Sequence, residues 1–469
     1  MKKTFYITTA IDYVNAPAHV GHAFEKTLAD AIARWQRLQG KDVFFLTGVD
    51  ENAQKNVEAA EKAGLSTKEF IDKNANLFLA LCKKLNISYS EFVRTSAEEH
   101  TKAVHKILKK VIEKGDIYKG TYSGLYCIGC ETYYTEKDLK NGKCPEHNAR
   151  PQLRNEEGYF FKLGKYKNQL LKIIPNYVIP KSRSNESLSR VKEEIKDIFI
   201  SRKNAKLGIS FPNDENYKIW VWIDALINYI SGLKEKRYWP AQVHVIGKGI
   251  NWFHSAIWPA LLLSADYELP EKLLVHGYLN IGGKKISKSS GNTINPLELL
   301  DKYNTDTVRY SLLKSSVFED SDYSEEILIN RNNNELANKL GNLVSRVSTL
   351  AEKYSLTKTI PISSKQTIEN TARYIKNYEL DKALNEIFAF IDKLNEYIQE
   401  KKPWETKDSK ILYQLANGIK DASILLSPFI PETSEKIAKT FNFQVSLSQL
   451  NTSLKVSKIK KSEILFKKI

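Results

Sequence analysis

Of 469 residues, only four are cysteine and one is methionine, the initiator. No apolar run approaches the ~18–20 residues that a membrane-spanning helix needs. The longest candidate, residues 256–265, falls well short and is interrupted by Pro259. The amino terminus enters Thr4-Phe5-Tyr6-Ile7-Thr8-Thr9 directly, with neither an apolar signal core nor an Arg-rich transit segment. A soluble cytoplasmic protein with no membrane partner is therefore expected. The cysteines do not make a secreted disulfide framework: Cys82 stands alone in a helical pattern as a small hydrophobe, and the other three are grouped. Internal repeats and low-complexity linkers are also lacking.

What is abundant is positive charge. Lys and Arg number 71 against 55 Asp and Glu, a net +16. Such a balance fits a polyanionic partner such as nucleic acid, or a general bias towards Lys, Asn and Ile. The length is too great for one compact core and implies about two to four domains.

Residues 5–9 read as a strand. Phe24, Leu28, Ala31, Ile32, Trp35 and Leu38 then recur at helical spacing, and Gly40 closes that helix. Residues 43–46 are a continuous apolar run, as in a buried parallel strand, so the first 50 residues read as a βαβ unit. Two amphipathic helices follow, one carrying Phe70, Leu77, Phe78, Leu81 and Leu85, the other Val104, Ile107, Leu108, Val111 and Ile112. Residues 117–214 are rich in Tyr, Gly and Cys and lack sustained helical period, and are read as an insertion. The α/β pattern resumes at Trp220, with strands at 243–246 and 273–275. From about residue 328 the chain reads as helical. Leu336, Leu340, Leu343, Val347 and Leu350 step by helical intervals, as do Leu380, Leu384, Ile387, Ile391, Leu394 and Ile398, predicting a helix bundle on a separate core.

Three constellations carry chemistry. His19-Val20-Gly21-His22 opens the first helix, where free N–H groups and partial positive charge favour anions, and Gly21 permits close approach by a ligand. Read alone, it fits two partly buried loop histidines equally. Gly282-Gly283-Lys284-Lys285-Ile286-Ser287-Lys288-Ser289-Ser290-Gly291-Asn292 is a mobile loop able to close over phosphates, or a solvated basic hairpin. Cys127-x2-Cys130-x13-Cys144-x2-His147 has the spacing of a structural zinc knuckle, against reduced thiols in a Gly-rich loop.

The first two together resemble the HIGH and KMSKS signatures of class I aminoacyl-tRNA synthetases. Further segments narrow the resemblance to the methionyl-tRNA synthetase family, bacterial type: Ala10-Ile11-Asp12-Tyr13-Val14-Asn15, Gly48-Val49-Asp50-Glu51, Trp222-Ile223-Asp224-Ala225-Leu226-Ile227-Asn228-Tyr229, Ile246-Gly247-Lys248 with Phe253-His254, and Val275-His276-Gly277-Tyr278. The ending Ile464-Leu465-Phe466-Lys467-Lys468-Ile469 is similar to the family's C-terminal peptide, which returns to the catalytic domain.

The resemblance implies a Rossmann-type α/β catalytic domain (1–116 and 215–290), an insertion with a zinc knuckle (117–214), a stem-contact region (291–327) and an all-α anticodon-binding bundle (328–469). It implies ATP-dependent activation of L-methionine and transfer to tRNA(Met), initiator included, by a monomer with one structural Zn²⁺ and with Mg²⁺ on ATP. The chain ends after the bundle, so the dimerising tRNA-binding domain of some members is expected to be absent. The insertion is too short for the large editing domain of the isoleucyl, valyl and leucyl relatives. His19, His22, Lys285 and Lys288 are the implied catalytic groups, with Gly21, Gly247 and Ser287 completing the ATP site. Asp50 is implied to hold the methionine ammonium, with Ile11, Tyr13, Trp222, Ala225, Tyr229, Ile250 and His254 around its side chain and the Tyr13 and Tyr229 hydroxyls available to it. Asn342, Arg346 and Trp404 are implied to read the anticodon; without the resemblance they fit a solvated helix face and a Trp under a turn. Three positions depart from the family: Ile286 replaces Met, Asn52 replaces His, and Gly249 replaces an Asp that contacts the ligand near the ribose. The alternatives are another class I synthetase such as the cysteinyl type, and a catalytically silent zinc-containing tRNA-binding protein, which Gly249 favours.

Overall fold

Strands Thr4–Thr9, Asp42–Asp50, Val243–Gly247 and Leu273–His276 are buried along almost their whole length, as parallel strands covered on both faces must be. The computed structural model describes residues 2–469 except 131, 147, 194, 204, 286–292 and 457, and leaves the side chains of Lys284 and Lys285 undescribed. The four strands centre a seven-stranded parallel sheet in the order 42–50, 4–9, 243–247, 273–276, with 178–179 beyond the last and both 12–13 and 91–94 beyond the first. Phe5 lies opposite Val43, and Thr9 opposite Val245.

From Thr9 the chain turns one way, through the helix Val20–Leu38, into Asp42–Asp50. The neighbour on the other side is reached only some 230 residues later, as the arrival at Val243 shows. The connections therefore diverge at the carboxyl ends of Thr4–Thr9 and Val243–Gly247, opening the crevice where α/β sheets bind ligands.

The span 117–214 differs from expectation. It contains two helices, Lys167–Tyr177 and Lys181–Glu193, and the strand between them, Val178–Ile179, pairs with Leu273–Leu274 at the edge of the main sheet. Two residues are too short to give a strand signature, and Pro175 inside the first helix obscured its period. The insertion's own sheet joins 117–127, 132–134, 152–161 and 198–199. A third helix, Gln54–Lys62, and the strand Glu91–Arg94 also went unanticipated.

The separate core of the bundle is likewise corrected. One continuous apolar cluster contains Phe24, Leu28 and Trp35 of the first helix, Val308 and Leu312 of the helix Thr305–Leu313, and the bundle residues Leu343, Leu384, Leu394 and Leu425. A second cluster fills the opposite face of the sheet, from Phe44 and Leu46 to Trp222, Tyr229 and Trp258. The two cores are thus the two faces of the sheet. Arg309, fully buried, clamps the first: it pairs with Asp30 at 2.7 Å and donates to the carbonyls of Leu85, Pro428 and Phe429 at 2.9–3.0 Å. Burial alone would raise Asp30, but Arg309 and Arg34 hold it below the ordinary carboxylate range. Leu465 and Phe466 bury in the same cluster, and Asn333 bonds Ile469 through its backbone N–H and C=O.

Candidate active site

The helix Val20–Leu38 starts on His19, whose Nδ1 accepts the Gly21 N–H at 3.1 Å, while His22 Nδ1 accepts the His19 N–H at 3.0 Å. Val20 N–H donates to Ile294 O, and those of His22 and Ala23 to His19 O. The expected free N–H groups are therefore corrected: side chains and carbonyls engage the first turn. The same bonds fix the tautomers. An accepting ring nitrogen carries no proton, so each imidazole carries its hydrogen on Nε2, as a donor. The rings stack at 3.8 Å with 22° between their planes. A Cβ on Gly21 would lie 2.9 Å from His19 Cε1, so glycine here also lets His19 fold back onto its own helix.

Beside this helix start, at the divergence of the connections, lies a cavity of about 260 Å³. Ile11, Tyr13, Asp50, Trp222, Ala225, Tyr229, Ile250 and His254 all line it, together with His22 and Gly247; His19 and Gly21 do not. Helical spacing on Val221–Ser231 aims Trp222, Ala225 and Tyr229 the same way, and a π-helical turn, Phe253–Ile257, carries His254. Trp222 stacks on Phe253 at 3.7 Å and meets Tyr13 edge-on at 6.2 Å. Its indole N–H donates to the Cys130 carbonyl at 3.1 Å, joining this wall to the insertion.

Burial lowers His254 to about 4, so its ring is neutral near pH 7. Nδ1–H donates to Ile250 O at 3.0 Å, leaving Nε2 to accept the Tyr229 hydroxyl at 2.7 Å. Tyr229 was expected to offer that hydroxyl to a ligand; its proton is committed to His254 instead. Asp50 closes its strand and is buried; Asn52 N–H donates to its Oδ1 at 3.2 Å.

Sequence reasoning missed several lining residues. Glu25 accepts the Ala10 N–H at 3.1 Å and faces His276 Nε2 at 3.0 Å. Its position three after His22 on one helix was the available signal. Asp12 lies 3.8 Å from His22 and pairs with fully buried Lys26; burial opposes that ammonium's charge, yet Asp12 keeps it above its ordinary range. Tyr278 also lines the cavity, and a Cβ on Gly249 would lie 2.1 Å from its hydroxyl, so a larger residue at 249 would have to move that phenol.

The second motif begins as a hairpin: residues 279–281 pair with 284–285 around Gly282 and Gly283, both at positive φ, and Gly283 N–H donates to Asp322 at 2.9 Å. The Lys285 side chain, Ser287 and Lys288 lie outside the described residues, as does His147.

Among the described residues, Cys127, Cys130 and Cys144 bring three sulfurs within 4.8 Å of one another, near the ~3.8 Å sulfur spacing of a tetrahedral zinc–thiolate site. In the bundle, the helix through Asn342–Tyr354 carries Asn342, exposed, and Arg346 one turn on. The Arg346 guanidinium lies 4.9 Å above the indole of half-buried Trp404, so two of the three anticodon candidates are brought together. Lys402, in a left-handed conformation, turns the chain so that Trp404 reaches that position. The helix is π-wound over Asn332–Gly341, which the regular leucine spacing did not foretell. No described helix is long and apolar enough to cross a membrane.

A family model for "tRNA synthetases class I (M)" matches residues 5–150 and 135–348, and one for the "anticodon-binding domain of tRNA ligase" matches 358–467. The chain is 42% identical to the methionine-tRNA ligase of Caldanaerobacter subterraneus subsp. tengcongensis, in an alignment covering 100% of this chain and 79% of that protein. It is 40% identical to that of Thermotoga maritima, covering 94% and 75%. The solved structure of Mycobacterium tuberculosis methionyl-tRNA synthetase in complex with methionyl-adenylate aligns with a TM-score of 0.94 at 32% identity, over 99% of both chains.

Proposed function

The chain belongs to the methionyl-tRNA synthetase family of class I tRNA synthetases, and from that premise we propose how its residues divide the reaction. It activates L-methionine with ATP, giving methionyl-adenylate and pyrophosphate, and transfers the aminoacyl group to tRNA. The methionine carboxylate attacks the α-phosphorus directly, so no protein nucleophile is required and catalysis is positioning plus charge stabilisation. His19 and His22 serve as the Nε2–H donors towards the phosphates. Lys285 and Lys288 hold the departing pyrophosphate, with Gly247 and Ser287 completing the ATP site. Mg²⁺ arrives on the ATP phosphates: among the described residues the only potential metal group is the cysteine cluster.

Asp50 takes the substrate ammonium. The apolar chain and thioether lie among Ile11, Tyr13, Trp222, Ala225, Tyr229, Ile250 and His254. A neutral, fully committed Tyr229–His254 pair suits a thioether, which accepts only weak hydrogen bonds and no charge. The observation that supports the whole assignment is the convergence of these side chains, from four separated segments, on one cavity at the divergence of the strand connections.

Cys127, Cys130, Cys144 and His147 hold one Zn²⁺, which supplies rigidity to the insertion rather than chemistry, all ligands being protein side chains. Asn342, Arg346 and Trp404 meet the anticodon of tRNA(Met), initiator included, the indole and guanidinium offering flat faces to unstacked bases. The catalytic domain comprises 1–116 and 215–290, the insertion 117–214, the stem contact 291–327 and the bundle 328–469; the enzyme acts as a cytoplasmic monomer.

Pyrophosphate exchange measured across the amino acids tests the activity: methionine alone supports it, and exchange with cysteine instead would overturn the assignment. Lys288→Ala separates the roles. Adenylate formation falls by two or more orders of magnitude while methionine affinity stays nearly constant, because the charge matters as pyrophosphate leaves. An equally steep loss of methionine affinity would refute that division.

A further inference from the structure

Beneath the ammonium end of the cavity runs a chain of polar side chains that the chemistry above leaves unused. His100, on the helix Glu98–Glu113, faces Asp224 Oδ1 through Nε2 at 2.5 Å and Ser231 Oγ through Nδ1 at 2.6 Å. Asp224 Oδ2 accepts Asn52 Nδ2–H at 2.7 Å, and Asn52 also donates to Thr95 O at 3.1 Å. The Asn52 backbone N–H then donates to Asp50 Oδ1 at 3.2 Å.

His100 is 2% exposed and Asp224 1%. Neither lines the cavity, so neither touches substrate. Packing does not require them, since apolar residues of similar volume stabilise a core as well as a buried ion pair, or better. What the chain does accomplish is fixation. Its last side chain, Asn52, is gripped by Asp224 on one side and by a backbone carbonyl on the other, which aims its N–H at the Asp50 carboxylate. A carboxylate must be held within a fraction of an ångström to meet an ammonium productively.

We infer that His100 is a positioning residue: acting through Asp224 and Asn52, it holds the Asp50 carboxylate in the orientation that receives the substrate ammonium. The inference rests on the proposed role of Asp50.

The test isolates the ammonium. Dissociation constants are measured by calorimetry for methionine and for 4-(methylthio)butanoate, the same skeleton without the amino group, and their ratio reports the grip on the ammonium. In His100→Ala the ratio drops about tenfold, the worth of one charge-assisted contact, while ATP affinity is unchanged; His100→Gln, which keeps hydrogen-bonding capacity, recovers part of it. Asn52→Ala, at a half-buried position that leaves little cavity, lowers the ratio similarly and keeps the test open if His100→Ala unfolds. In an Asp50→Asn background neither substitution lowers the ratio further. Equal weakening of both ligands, or full additivity with Asp50→Asn, overturns the inference. If Asp50→Asn itself leaves the ratio at the wild-type value, the fault lies in the assignment of Asp50.

Discussion

The two faces of the central sheet are built to different ends. On one face, apolar packing runs unbroken from the first helix into the bundle, and among its buried charges Arg309 pairs with Asp30 and donates to backbone carbonyls. On the other, packing surrounds rings with polar tips, among them Tyr229, His244, His254 and Trp222, and gives way to a cavity. The first face is a mount that sets the bundle against the nucleotide-motif helix. The second is the proposed recognition surface, on which the Tyr229 hydroxyl and His254 satisfy one another. A residue's segment in the sequence therefore says less about its role than the face it packs on.

The largest effect is expected on the mount. Arg309→Ala strands the buried Asp30 carboxylate and releases three carbonyls, a loss of about 3–5 kcal/mol. Calorimetry should show bundle and catalytic half losing stability together; a lowered transition confined to the bundle would break the comparison. Next comes the junction of the recognition face with the insertion. Cys130→Ser should abolish stoichiometric zinc and, through the Trp222–Cys130 hydrogen bond, raise the KM for methionine several-fold, about what one bond is worth. Full zinc retention would refute the metal assignment. Third, Trp404→Ala sits at the far edge of the mount. It should spare pyrophosphate exchange but cut aminoacylation about tenfold, a lost base stack being worth ~1–3 kcal/mol. Unchanged discrimination between normal and anticodon-swapped tRNA would leave this Trp a packing residue.

The smallest effect concerns pH. His254 is depressed to about 4 and His244 lies well below its ordinary value, both through burial. The unfolded imidazoles take up protons from about pH 6.5 downwards, so stability is full above that value and is lost as pH falls towards about 4. The melting temperature should drop by a few degrees across that window, and His254→Gln should flatten the slope in part. Asp30, depressed by Arg309, loses its contribution only below the ordinary carboxylate range. Acid should thus soften the recognition face before the mount.

The sequence was most informative where a function is concentrated in a short segment. Ile11, Tyr13 and Asp50 sit within a few residues of strand ends, and Trp222, Ala225 and Tyr229 share a helix face; these short segments carry the family resemblance, and it was the resemblance that implied their roles. It failed where meaning arises only from pairing across the chain. His100 looks like any polar residue on an amphipathic helix until Asp224 is placed beside it. Lys26 is fully buried against Asp12, a pairing that neither segment shows by itself. Leu343 and Phe24 each announce a helix face, but nothing in either segment says that the two faces meet in one core.

Gly249 and Tyr278 are coupled in space. A Cβ at position 249 would lie 2.1 Å from the Tyr278 hydroxyl, the far end of its side chain, so any larger residue there has to displace the phenol from its present place at the cavity wall. A substitution at either position is thus felt at the other, and the shape of that corner of the cavity belongs to the pair rather than to one residue.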